Sequence, residues 1–153
     1  MHFYNIIETL SRQHHIVLFV DMDGVIAAYD FGRKFDFDKK RPLLHHLDVL
    51  EKISHLEQVE LYILSISPKE EQIEEKQRWL DQYASFFPKD HRIILAKPQY
   101  PGLSSKEIKA EFLKQFQAPD KVAFIDDDNA VLKYIHHLLP HVLLYQDSEL
   151  VDE

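Results

Sequence analysis

The sequence contains no cysteine, which excludes disulfides, zinc–thiolate sites and catalysis by a thiol and fits a reducing compartment. Only three of its 153 residues are glycine, and neither glycine-rich phosphate-binding loop, GxGxxG or GxxxxGK[ST], occurs. No apolar stretch approaches the ~20 residues of a membrane helix, and no basic segment followed by an apolar run suggests a signal peptide. The 18 basic residues are outnumbered by 26 acidic ones. We therefore expect a cytoplasmic protein without membrane contact or general nucleic-acid binding.

What the sequence does contain is an alternation of short apolar runs with helical patterns. Apolar runs of this length predict strands that are covered on both faces, and they lie at 16–20, 59–64, 92–96, 121–125 and 141–145. Apolar residues at helical spacing predict helices at 3–12, 43–53, 73–83, 108–116 and 131–139. The length suits one domain over residues 1–153. The pattern predicts a three-layer α/β/α, Rossmann-like domain with a parallel sheet of about five strands.

Polar side chains follow four of the predicted strands, where ligands bind in open parallel sheets. In chain order they are Asp21 and Asp23, then Ser65, then Lys97 and Lys106, and finally Asp126, Asp127 and Asp128. Carboxylates gathered at one edge of a sheet repel one another unless a cation or a proton neutralises them. Oxygen ligands without imidazole or thiolate favour Mg²⁺. The sequence thus predicts a magnesium site suited to phosphoryl transfer.

In this order, the motifs resemble those of the haloacid dehalogenase superfamily of aspartate-nucleophile phosphatases. The similar segments are Asp21-Met22-Asp23-Gly24-Val25, Leu61 to Ser65, a lysine before the fourth strand, and Phe124-Ile125-Asp126-Asp127. The first segment and the later Ile125-Asp126-Asp127 are particularly similar to the deoxyribonucleotidase (5′-nucleotidase type C) branch and to related phage-type phosphatases. That branch usually carries a larger helical cap, for which the intervals after the first two strands are too short.

The resemblance implies a role for each matched residue. Asp21 would attack phosphorus and form an aspartyl phosphate, and Asp23 would act as the general acid and base. Gly24 would allow a tight turn beside the phosphate. Ser65 and the motif lysine would contact the phosphoryl oxygens. In the manner of the family, Mg²⁺ would be held by the carboxylates of Asp21, Asp126 and Asp127 and by the carbonyl oxygen of Asp23.

The lysine of the third motif has two candidates. Ser104-Ser105-Lys106-Glu107 has the pattern of a capping box, which puts Lys106 in a first helical turn, where a cation opposes the helix dipole. We favour Lys106 for this reason, with Lys97 as the alternative. Ser67-Pro68-Lys69-Glu70 has a similar helix-start pattern, which leaves Ser65 for the phosphate. Asp128 is expected to cap the next helix.

Aromatic and charged residues alternate directly after the first motif, where the superfamily places a hairpin flap over the site. Tyr29, Phe31, Arg33 and Lys34 are therefore possible substrate contacts, against the alternative that the aromatic rings pack on the core. The ten histidines lack metal-ligand spacing, and we expect them on the surface.

The predicted function is a Mg²⁺-dependent phosphatase of nucleotides or another phosphorylated metabolite. We expect a phosphorylated small molecule as partner and a monomer or small homo-oligomer. The alternatives are a phosphatase of a macromolecule, such as a nucleic-acid end or a phosphoprotein, and a non-catalytic phospho-aspartate signalling or interaction domain. A receiver domain places its acidic pair after the first strand and its lysine last, and this chain has the opposite order.

Overall fold

The computed structural model describes residues 2–29 and 37–151 and contains a five-stranded, fully parallel sheet. The strands are β1 (Ile16–Val20), β2 (Val59–Ser67), β3 (Arg92–Ala96), β4 (Lys121–Asp126) and β5 (Leu143–Gln146). The helices are α1 (His2–Ser11), α2 (Leu44–Ser54), α3 (Glu71–Tyr83), α4 (Ser105–Gln115) and α5 (Asn129–Leu138). This architecture confirms the predicted fold class.

Successive side chains of a strand point to opposite faces of the sheet. Both faces of this sheet are apolar, and helices cover each of them. Leu18 of β1 packs in the cluster that contains residues of α1, α2 and α3. Its neighbour Phe19 packs in the second cluster, with residues of α4 and α5. All five residues of β1 are buried, which explains the unbroken apolar run in the sequence.

The strand order β3-β2-β1-β4-β5 places β1 at the centre of the sheet. Val20 at the end of β1 is in register with Ile63 of β2 and Ile125 of β4. The backbone N–H of Asp21 then donates to the Ile125 carbonyl oxygen over 3.1 Å. β2 and β4 lie on either side of β1, so the connections to them run in opposite directions along the sheet. In open parallel sheets, ligands bind at such a point, where the strand order reverses.

The structure corrects one predicted helix start. Ser67 is the last residue of β2 and is in register with Ala96 of β3, so pairing in the sheet extends β2 beyond residue 64, its predicted end. The N-cap of α3 is Glu70, without a side-chain cap hydrogen bond. The predicted capping box at Ser104 is confirmed, since its hydroxyl accepts from the Glu107 N–H and the Glu107 carboxylate accepts from the Ser104 N–H.

Within residues 2–29 and 37–151, no helix is both long enough and apolar enough to cross a membrane.

Candidate active site

Three carboxylates meet where the central strands β1 and β4 end. Asp21, Asp126 and Asp127 each offer an oxygen within 4.8 Å of the others. Asp21 and Asp126 are buried, and Asp127 is partly exposed. The position of each follows directly from the strand before it, because Asp126 is the last residue of β4 and Asp21 follows the last residue of β1. An oxygen-only donor set of this kind suits a hard cation such as Mg²⁺.

Lys109 of α4 lies against this acidic cluster. Its ammonium group is 2.8 Å from Oδ2 of Asp126 and 3.4 Å from Oδ1 of Asp21, and it is buried. The sequence had pointed to Lys106 or Lys97 instead. Lys106 is exposed, with its ammonium 5.2 Å from the centre of the Tyr134 ring, and Lys97 is exposed after β3. The structure brings neither of them to the carboxylates.

Burial and mutual repulsion change the protonation of this cluster. Burial raises the pKa of Asp21 to about 7, and the attraction of Lys109 only partly opposes that rise. Burial also raises the pKa of Asp127 to about 6. For Lys109, burial is outweighed by the carboxylates of Asp21 and Asp126, which raise its pKa above the usual range. The cluster therefore holds more negative charge than one lysine offsets, and a divalent cation would relieve this.

Gly24 permits the turn that carries the chain away from Asp21. Its φ angle of +79° is in the region that favours glycine. A Cβ atom here would lie 2.1 Å from Oδ2 of Asp127 and 2.7 Å from a ring carbon of Tyr29. The N–H of Gly24 donates to the Ala27 carbonyl oxygen over 2.8 Å. Glycine is thus required both by the backbone angle and by the close approach of Asp127.

Asp23, two residues after Asp21, makes a different group of contacts. Lys40 lies 2.5 Å from its Oδ1 atom, and Lys76 of α3 lies 3.8 Å from its Oδ2 atom. Lys76 also donates to the Ser65 hydroxyl over 2.7 Å and to the Ile66 carbonyl oxygen over 2.9 Å. Burial lowers the pKa of Lys76, and the carboxylates of Asp23 and Asp21 only partly offset this.

The two serines at the end of β2 are both buried. Ser65 is held by Lys76, as described above. The hydroxyl of Ser67 has no hydrogen-bond partner among the described residues, although we expected it to cap α3. A buried hydroxyl of this kind can still accept or donate a hydrogen bond.

The predicted flap residues are only partly within the described chain. Phe31, Arg33 and Lys34 lie outside the described residues. Tyr29 is 54% exposed, and its hydroxyl forms a hydrogen bond with the Asp127 carboxylate. Asp128 caps α5 as expected, accepting from the Ala130 N–H over 2.9 Å.

Sequence reasoning missed three lysines at this edge of the sheet: Lys40, Lys76 and Lys109. A usable signal existed for Lys76, because it falls on the apolar stripe of Ile73, Leu80 and Tyr83, where a charged residue needs an explanation. Lys109 lies at helical spacing from Phe112 and Phe116 in the same way. The position of Lys40 depends on how the chain returns to the sheet after Tyr29, for which we found no sequence signal.

No protein-family model and no curated protein matched the sequence. Among solved structures, the fold is similar to chains of the Pnkp1/Rnl/Hen1 complex and of the Pnkp1/Rnl/Hen1 RNA repair complex. Both have a TM-score of 0.66, with 20% and 21% sequence identity. The matches cover 88% and 87% of this chain but 46% and 42% of those chains. This chain thus spans less than half the length of these neighbours, and the similarity at this identity concerns the fold.

These neighbours overturn the partners expected from the sequence. We had expected a phosphorylated small molecule and no general nucleic-acid binding, whereas the neighbours belong to a multi-protein RNA repair complex. The expectation rested on the net charge of −8. A net charge averages over the whole chain and does not report how charge is distributed around one site.

Proposed function

We propose that this protein is a Mg²⁺-dependent phosphomonoesterase, of the haloacid dehalogenase type, that removes a terminal phosphate from a nucleic-acid end. The observation that carries the proposal is the buried cluster of Asp21, Asp126 and Lys109 at the ends of the two central strands. Structural ion pairs also perturb pKa values, but carboxylates with raised pKa values at a strand-end site are typical of functional groups. The order of the motifs in the sequence supports the same class.

In the first step, an oxygen of the Asp21 carboxylate attacks phosphorus. A bond forms between this oxygen and phosphorus, and the bond between phosphorus and the ester oxygen breaks. The leaving oxygen takes a proton from the carboxyl group of Asp23. The products are an aspartyl phosphate on Asp21 and the free hydroxyl group of the nucleic-acid end.

In the second step, a water molecule attacks the phosphorus of the aspartyl phosphate. Asp23 takes a proton from this water, the bond between phosphorus and Asp21 breaks, and inorganic phosphate leaves. Both carboxyl groups return to their initial state. Asp23 can serve both steps because it is left as a carboxylate when it gives up its proton in the first step, and a carboxylate can accept the proton of the water in the second.

The charges around the reacting phosphate come from the chain and from the cation. Lys109 keeps the carboxylates of Asp21 and Asp126 together and offsets part of their charge. Bound Mg²⁺, held by Asp21, Asp126, Asp127 and the Asp23 carbonyl oxygen, would neutralise the charge on the phosphoryl oxygens. Ser65, fixed by Lys76, would donate a hydrogen bond to one of these oxygens.

A nucleic-acid end as substrate is supported by two features. The structural neighbours belong to an RNA repair complex, and the intervals that follow β1 and β2, residues 21–43 and 68–70, are too short for a large cap domain. An uncapped site would admit a polymer end. The exposed ring of Tyr29 at the mouth of this site would offer a surface on which a terminal base could stack.

The proposal is tested by phosphate release from short RNA and DNA oligonucleotides that carry a 3′- or 5′-terminal phosphate, with Mg²⁺ present. The wild type should release phosphate, and chelation of Mg²⁺ should stop the reaction. Asp21→Asn should lower turnover by about 10³-fold or more. Asp48→Asn is the matched control, because Asp48 is an exposed carboxylate on α2 beside Lys52, and it should retain wild-type turnover.

Equal phosphate release by wild type and Asp21→Asn would overturn the catalytic assignment. Hydrolysis of an aryl phosphate, without release from any of the oligonucleotides, would overturn the substrate assignment and leave the catalytic one standing.

A further inference from the structure

Asp23 is enclosed by two ammonium groups that come from different parts of the chain. Lys40, 2.5 Å from Oδ1, follows a short 3-10 turn (Phe37–Lys39), and Lys76, 3.8 Å from Oδ2, comes from α3. The side chain of Asp23 is 30% exposed, whereas those of Lys40 and Lys76 are 8% and 1% exposed. The carboxyl group therefore faces solvent while the cations that hold it are buried behind it.

Lys40 is itself held firmly in place. The indole N–H of Trp79 donates to the Lys40 carbonyl oxygen over 2.9 Å, and the N–H of Phe37 donates to the Glu75 carboxylate over 3.1 Å. The ring of Phe37 lies within 4.9 Å of the Lys40 ammonium and 5.1 Å of the Lys76 ammonium. These contacts attach the segment Phe37–Lys40 to α3 and fix the direction from which Lys40 reaches Asp23.

A contribution to stability does not by itself explain this placement. Burying an ammonium group removes it from water, which is unfavourable, and apolar residues of similar volume often stabilise a fold as well as a buried ion pair does. A buried lysine that is held by the backbone and directed at one carboxylate has the properties expected of a supporting residue in an active site.

We propose that Lys40 is a positioning residue that fixes the carboxyl group of Asp23 for proton transfer to the leaving-group oxygen. Lys40 engages Oδ1 directly, and Lys76 lies beside Oδ2 while it holds Ser65. The inference rests on the proposed phosphatase function and assigns to Lys40 a role that the sequence motifs did not indicate.

If Lys40 positions Asp23, its loss should affect substrates differently according to the basicity of their leaving groups. A lysine that only bound phosphate or supported the fold would not give this difference. A positioned acid accelerates departure of a strongly basic leaving group, such as the ribose oxygen of a nucleic-acid end, by about 10²–10⁴-fold. A weakly basic leaving group such as 4-nitrophenolate departs without a proton. Loss of Lys40 should therefore lower kcat/KM, which reports the step that forms the aspartyl phosphate, far more for an oligonucleotide with a terminal phosphate than for 4-nitrophenyl phosphate.

The absence of cysteine from the chain permits a direct test. Lys40→Cys carries a single thiol, and alkylation of the unfolded variant with 2-bromoethylamine, followed by refolding, restores an ammonium group at nearly the original length. Alkylation with iodoacetamide provides a neutral adduct for comparison. Lys52→Cys, from an exposed lysine on α2, is treated in the same way as a control and should keep wild-type rates throughout.

We expect Lys40→Cys to lose about 10²-fold or more in kcat/KM for the oligonucleotide and less than about threefold in kcat/KM for 4-nitrophenyl phosphate. Aminoethylation should restore turnover of the oligonucleotide, and the neutral adduct should not. The rate with 4-nitrophenyl phosphate also reports, in the same sample, that the variant is folded.

Equal losses in kcat/KM with both substrates, or no loss with either, would overturn the positioning role while the proposed function stands. Restoration by the neutral adduct would also overturn it, because the charge would then be unnecessary. An inactive wild type would instead overturn the proposed function, and this inference with it.

Discussion

The candidate site has two halves, each built around a buried lysine, and the pKa values of these two lysines shift in opposite directions. In the Lys109 cluster (Asp21, Lys109 and Asp126), the ammonium contacts two buried carboxylates, which raise its pKa. In the Lys76 cluster (Ser65, Lys76 and Asp23), the ammonium donates to a hydroxyl and a backbone carbonyl, and burial lowers its pKa. The charge of the partners, and not the depth of burial, decides the direction of the shift.

The difference shows how the two halves would work. The Lys109 cluster has an excess of negative charge, which suits a cation and a nucleophile. Asp23 of the Lys76 cluster faces two ammonium groups, since Lys40 also contacts it, and this surplus of positive charge suits an anionic phosphate. The two halves are adjacent, since only Met22 separates Asp21 from Asp23 in the chain.

The largest effect is expected when the lysine of each cluster is replaced by methionine. Lys109→Met leaves two buried carboxylates without their cation and should lower the free energy of unfolding by about 3–5 kcal/mol. Lys76→Met removes a donor from two neutral acceptors and should cost about 1–3 kcal/mol. Urea unfolding at pH 7 without Mg²⁺ measures both.

Lys106→Met is the control for this comparison, because Lys106 is exposed on the same helix as Lys109 and should change stability by less than about 0.5 kcal/mol. Equal losses in Lys109→Met and Lys106→Met would contradict the position of Lys109. A larger loss in Lys76→Met than in Lys109→Met would contradict the contrast between the clusters.

A smaller effect is expected at Gly24, in the turn that follows Asp21 and Asp23. Gly24→Ala combines the positive φ angle with a Cβ atom 2.1 Å from Asp127, so the Asp127 carboxylate must move. Gly102→Ala is a matched control, since its φ angle is +82° and nothing lies within 4 Å of its added Cβ atom. Both should lose about 1–2 kcal/mol from the backbone angle, but Gly24→Ala should lose more and should also lower turnover.

Thermal unfolding and phosphate release together measure this contrast. If Gly102→Ala lowered turnover as much as Gly24→Ala, the close approach of Asp127 to Gly24 would not matter for the site.

The smallest effect is the pH dependence of stability, which comes from Asp21 of the Lys109 cluster and from the neighbouring Asp127. Folding raises the pKa of Asp21 to about 7 and that of Asp127 to about 6, from 3.8. A raised pKa in the folded state stabilises the protein fully below the unfolded pKa and loses this contribution as pH rises through the folded pKa. Without Mg²⁺, the melting temperature of the wild type should therefore fall by a few degrees between pH 5 and pH 8, relative to Asp21→Asn.

Addition of Mg²⁺ should abolish this fall, because the cation binds the deprotonated carboxylates. Differential scanning fluorimetry across this range, with and without Mg²⁺, provides the measurement. The same pH dependence in wild type and Asp21→Asn would show that Asp21 titrates normally.

The strands and the residues that follow them were accessible to sequence reasoning. The run at 16–20 coincides with β1, because a strand buried on both faces needs continuous apolar residues. The run at 92–96 coincides with β3, an edge strand whose middle residues are only partly buried. The meeting of Asp21 with Asp126 followed from the rule that parallel strands end at the same edge. The start of α3 was wrong, because pairing with β3 extended β2 as far as Ser67.

The sequence by itself determined the fold class and the carboxylates at the strand ends, because both follow from local apolar patterns and from the common direction of parallel strands. Only the tertiary structure decided which lysines meet them. Lys106 and Lys109 are one turn apart on α4, and the packing of that helix on the sheet selects the second. Lys40 and Lys76 approach Asp23 through a returning segment and a packed helix, whose positions depend on contacts between residues far apart in the chain.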